Sequence, residues 1–138
     1  MLDLFIDGIA AIATPDTLAL MILGVIVGII FGSVPGLTAV TGIALFLPVT
    51  YSLGPIKGMA LLMAIYIGAV SGGLIAAILI NIPGTPASVA TCFDGTPLAR
   101  KGQAYKALGV GTVFSFLGTI FGILILVFVS PIIANFAL

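Results

Sequence analysis

Charge is missing from this chain over long distances. No Asp, Glu, Lys or Arg occurs between Asp16 and Lys57, between Lys57 and Asp94, or after Lys106. Each gap exceeds the ~20 residues that a helix needs to cross the hydrocarbon of a bilayer. Sequence stretches of this kind have no polar face to offer water. In lipid, their backbone N–H and C=O groups must pair within the segment, as they do in a helix. The chain is 62% hydrophobic and 6% charged, which places it with membrane proteins. The expected fold is therefore all-α, a polytopic helical membrane protein, and two internal Pro-Gly pairs add broken or re-entrant helices to it.

The same composition excludes several classes of function. Net charge is zero and the few basic residues form no nucleic-acid surface. Histidine is absent and Cys92 is the single cysteine, so an internal disulfide is impossible and no metal site is expected. Asp3 and Asp7 stand where a secretory signal peptide needs Lys or Arg. No base sits beside a Ser or Cys nucleophile, so enzyme chemistry is not expected. No cofactor is expected either.

We read residues 1–138 as one transmembrane segment. Residues 1–16 carry three Asp and Pro15, with Thr14 or Asp16 available to cap the next helix. Residues 17–50 are apolar but broken at Pro35-Gly36. Two arms of roughly 20–25 Å fall short of the roughly 30 Å core, which points to a re-entrant hairpin, the alternative being one broken span. Residues 51–58 are expected as a loop, and residues 59–80 as a span. Residues 81–93 hold the second break and a short helical piece. Asp94-Gly95 then signals a turn and Thr96-Pro97 a new helix start. Residues 107–129 form the last span, ended by Ser130-Pro131. Arg100, Lys101 and Lys106 place the 95–106 region in the cytoplasm by the positive-inside rule, with Lys57 and the Lys-free N-terminus on the other face. Gly24, Gly28 and Gly32, then Gly68 and Gly72, then Gly111, Ser115 and Thr119, form rows of small residues that let helices approach closely in lipid.

The two breaks are where chemistry is expected. They are Ser33-Val34-Pro35-Gly36-Leu37-Thr38 and Asn81-Ile82-Pro83-Gly84-Thr85-Pro86. A helix starts after each, and its first turn leaves unpaired N–H groups and a partial positive charge. Two such starts aimed at one point would bind an anion, a carboxylate in particular, with no Arg or Lys. The hydroxyls of Ser33, Thr38, Thr41, Thr85, Ser88 and Thr91 and the carboxamide of Asn81 would add neutral hydrogen bonds. Carbonyls upstream of each break would suit a cation such as Na⁺. The competing reading is that Pro-Gly makes a plain kink, Asn81 ends a helix, and Asp94 supports a turn.

Asn81-Ile82-Pro83-Gly84-Thr85-Pro86-Ala87-Ser88-Val89-Ala90-Thr91, continued by Asp94-Gly95-Thr96-Pro97-Leu98-Ala99 and Gly102, resembles the signature of the large membrane subunit of tripartite tricarboxylate transporters. Gly28, Gly32, Pro35-Gly36-Leu37 and Leu47-Pro48 are similar to that family's first segment. The resemblance implies a secondary carboxylate permease in the bacterial inner (plasma) membrane. It also implies an extracytoplasmic solute-binding protein, a small membrane subunit, and an ion gradient of Na⁺ or H⁺. The family's large subunit is several times longer, so the chain is expected to be its N-terminal part. On this reading Ser33, Pro35, Gly36 and Thr38 shape one wall of the site. Asn81, Pro83, Gly84, Thr85 and Ser88 shape the other, and Thr91 and Asp94 serve coupling or gating. Two alternatives stand beside it: a non-transporting membrane scaffold or truncated permease fragment, and a passive oligomeric channel.

Overall fold

The computed structural model describes residues 2–137, and among these the regular structure is helical throughout. Helix α1 spans Leu2–Ile12, α2 Pro15–Ser33, α3 Ala39–Leu53 and α4 Pro55–Ile80. A 3-10 turn at Pro86–Ser88 leads into α5, Val89–Arg100, and α6 spans Ala104–Ala137. Proline opens α2 and α4, where its missing N–H is no loss. Helices α2, α4 and α6 are long and apolar enough to cross a membrane.

Helix boundaries correct several expectations. The loop expected over 51–58 shrinks to Gly54, whose φ of 78° supplies the left-handed step between α3 and α4. Helix α3 runs through Pro48 to Leu53, and α6 runs through Pro131 to Ala137. Asp94-Gly95 is not a turn, because α5 continues through it and through Pro97. A single proline removes one donor and crowds one carbonyl. Packing of Gly95 and Thr96 on α4 holds α5 helical across that defect.

Helices α2 and α4 make the most extensive pairing, and glycine is its cause. A Cβ on Gly24 would come 2.9 Å from Ala64 Cβ, one on Gly28 2.9 Å from Gly68 Cα, and one on Gly32 2.7 Å from Ala69 Cα. Contacts advance along both chains together, so α2 and α4 are parallel. Lys57 Nζ meets Asp16 Oδ2 at 3.4 Å, which puts both helix starts at one end of the bundle. Helix α3 runs back between them in sequence, with Gly42 on Ile65 and Thr50 on Gly58.

At the far end of α4 the chain turns inward. Thr85 lies against Gly73, two helical turns below Ile80, while Gly95 lies against Ile78. Residues 81–85 therefore descend along α4, and α5 climbs back out parallel to it. Helix α6 then reverses direction, with Ala104 near Ile80 and Gly111 against Leu74.

Candidate functional site

The two Pro-Gly breaks meet. A Cβ on Gly84 would fall on the carbonyl oxygen of Gly32 and 2.9 Å from Gly73 Cα. One on Gly72 would come 2.9 Å from Ser33 N. The end of α2, the middle of α4 and the second break thus share one backbone-to-backbone junction, which only residues without a Cβ can form. Thr85 closes it from the side, its Cγ2 and Oγ1 filling the space beside Gly73.

Each break has its own local chemistry. In the first, Leu37 N donates to Val34 O at 3.0 Å around Pro35 and Gly36, whose φ is 96°. That is a type II turn, with proline and glycine at the positions the turn favours. Ser33 Oγ donates back to Ile29 O at 2.6 Å. Thr38 caps α3, its Oγ1 accepting from Thr41 N at 3.4 Å. In the second, Asn81 ends α4 in the left-handed conformation, φ 58° and ψ 29°, a helix C-terminal geometry that Asn tolerates. Thr85 N donates to Ser88 Oγ at 3.2 Å, and Ser88 Oγ donates to Thr85 O at 2.8 Å, both groups buried.

These details decide how the helix starts are disposed. Gly42 touches Ile65 and α3 is antiparallel to α4, so Thr38 stands near the level of Ala69. Thr85 stands at Gly73. The two starts are about 6 Å apart along α4, and their contacts with it lie within about 80° of each other around its axis. Both starts therefore lie at neighbouring levels of α4, each with part of its first turn capped by its own hydroxyl. Pro35 and Gly36 sit at the exposed edge of this region, while Gly84, Thr85 and Ser88 are buried in it. Thr91 and Asp94 lie further along α5, half-buried and exposed respectively, and are not drawn to the junction.

The structure adds residues that sequence spacing did not single out for the site. Thr96, read as a helix cap, is buried, and its Oγ1 hydrogen-bonds Ala77 O at 2.9 Å and Asn81 Oδ1 at 3.0 Å. It ties α5 to the end of α4. Arg100 lines a groove of about 470 Å³ together with Asn81, Pro83, Phe93 and Thr96. A smaller groove of about 260 Å³ also includes Asn81, Thr96 and Arg100. A basic residue thus borders the same groove as the second break, where sequence alone points to an anion held without basic help. Nothing local signals this: Arg100 is remote from Asn81 in sequence, and only the climb of α5 brings them together. Among the described residues no group of His, Cys, Asp or Glu could hold a metal ion.

Residues 18–138 match the model of the tripartite tricarboxylate transporter TctA family. The chain belongs to this family. A curated relative in Agrobacterium vitis, named as an uncharacterized 52.8 kDa protein in the TAR-I ttuC' 3' region, is 36% identical over 141 residues. The alignment takes in 100% of this TctA-family chain and 28% of that relative's length. No solved structure matches the chain. The family is one of transporters, and with three membrane-capable helices this member is a multi-pass membrane protein.

Proposed function

We propose that this chain contributes one wall of the substrate site of a carboxylate permease, a secondary transporter that takes its cargo from an extracytoplasmic solute-binding protein. One observation carries the reading: the two interrupted helical runs meet backbone to backbone at Gly32 and Gly84. Interrupted helices near the bilayer midplane, with N-terminal ends toward an anion, are a recurring way of binding carboxylates in transporters. Asn81, Thr85 and Thr38 would orient the cargo, Gly84, Gly36, Pro35 and Pro83 would hold the backbone open, and Ser33 and Ser88 would fix the walls. Thr91 and Asp94 would act in coupling or gating. An inward gradient of Na⁺ or H⁺ across a bacterial inner membrane would drive uptake, alongside a small membrane subunit.

The glycine rows of α2 and α4 are consumed within the chain. They leave less surface for the scaffold reading, which needed them for partner helices. Gradient-driven uptake of labelled di- and tricarboxylates tests the proposal in vesicles carrying the transporter assembled with this chain, with and without candidate binding proteins. Binding-protein-dependent uptake of a carboxylate is expected. Conductance without a binding protein would point to a channel instead.

A further inference from the structure

Helix α1 was not anticipated in the sequence, where residues 1–16 read only as an acidic lead-in. Its 11 residues make a helix about 16 Å long, half the depth of the hydrocarbon. Eleven residues of helix do not cross the hydrocarbon by themselves. It is the most strongly amphipathic helix of the chain. Ile6, Ile9 and Ile12 are 56%, 59% and 41% exposed. At 100° per residue they share an arc of about 120°, with Asp7 well outside it. Ala11 is half-buried, and α1 touches α4, so the contact with the bundle leaves the isoleucines uncovered.

The level at which α1 sits is marked independently. It joins α2 through Ala13 and Thr14, and Asp16 on the other side of that bend pairs with Lys57. A charged pair at the starts of α2 and α4 belongs at the polar boundary, because burial of either ion in hydrocarbon is costly. Helix α1 therefore leaves the bundle at the headgroup level.

We infer that α1 is an interfacial helix lying in the plane of the membrane, with Ile6, Ile9 and Ile12 in the acyl boundary of the lipid and Asp7 toward water. Its occupant is the lipid surface itself. Helices of this kind bury their apolar face several ångströms below the headgroups. The charge fixes which surface. The helix region holds Asp and no Lys or Arg, so an anionic leaflet repels it. It belongs on the face opposite Arg100, Lys101 and Lys106. The helix thereby anchors the start of α2 and sets the depth of the α2–α4 pair.

Single-cysteine fluorophore labelling tests this in the Cys92→Ala background, with the protein reconstituted in phosphatidylcholine vesicles. Ile9→Cys and Ile6→Cys each replace an exposed side chain, so folding is retained. Label at either position is expected to emit at shorter wavelength and to be quenched by nitroxide-bearing lipid. Label on Asp7→Cys is expected to emit as in water and to be quenched by aqueous iodide. Aqueous behaviour at both isoleucine positions overturns the inference. A blue shift there without quenching by nitroxide lipid also overturns it, since the face would then be covered by protein.

Discussion

Gly84 lies flat on the backbone of Gly32, with no space for a Cβ between them. Two residues 52 positions apart, 84 − 32, thus join the two interruptions into one junction. The partial charges of peptide groups meet there at close range in a low-dielectric setting, so small displacements carry large electrostatic consequences. Most of the expectations below concern that junction.

Gly84→Ala is expected to reduce uptake at least tenfold and to lower thermal stability in detergent by more than ~2 kcal/mol, because the new methyl meets fixed backbone. Gly36→Ala meets nothing within 4 Å and suffers only the strain of its φ of 96°, about 1–2 kcal/mol. Helical circular dichroism on heating, with substrate uptake, separates the two. Equal tolerance of both substitutions would refute the junction as a constrained site.

At Asn81 backbone conformation and carboxamide chemistry can be taken apart. Asn81→Gly keeps the left-handed conformation and loses the carboxamide; Asn81→Ala loses both. If the carboxamide orients substrate, uptake fails in both variants, while Asn81→Gly stays within ~1 kcal/mol of the parent in thermal unfolding. Thr96→Val should be the costlier structural change at ~1–3 kcal/mol. It removes the buried hydroxyl whose single proton Ala77 O and Asn81 Oδ1 share.

Glycines in α2 and α6 should respond oppositely. Gly28→Ala drives a methyl into the backbone of α4 and is expected to destabilise by more than ~2 kcal/mol. Gly118→Ala has open space around it and should be neutral or stabilising by about 0.5–1 kcal/mol through helix propensity. Thermal unfolding in detergent checks both.

Lys57 and Lys101 are expected to face opposite sides of the membrane, since α4, about 39 Å long, separates them. In the Cys92→Ala background, an impermeant thiol reagent should label Lys57→Cys from outside intact cells and Lys101→Cys only after permeabilisation. Labelling of both from one side would contradict a crossing by α4.

Much of the fold was legible because lipid imposes simple rules. Uncharged runs longer than a bilayer is thick must be helical, so the all-α class and the cores of α2, α4 and α6 followed from Asp16, Lys57, Asp94 and Lys106 alone. Pro35-Gly36 and Pro83-Gly84 were legible as interruptions because the pair joins a missing donor to a residue free of a Cβ. Such a residue can turn left-handed, as Gly36 does, or approach backbone closely, as Gly84 does. Boundaries were less legible. Pro48, Pro97 and Pro131 sit inside helices, since packing and a hydrocarbon setting sustain helical backbone past one lost hydrogen bond.

By itself, then, the sequence determined the all-α class, the apolar cores of α2, α4 and α6, and where two of the helical runs break. Those properties depend on local composition and on the cost of exposing peptide groups to lipid. Only the tertiary structure decided that α2 and α4 run parallel, that the second break folds back to Gly73, and that Gly32 meets Gly84 while Arg100 comes beside Asn81. Such pairings rest on which small residues face one another across distant segments, and helical spacing identifies a face without naming its partner.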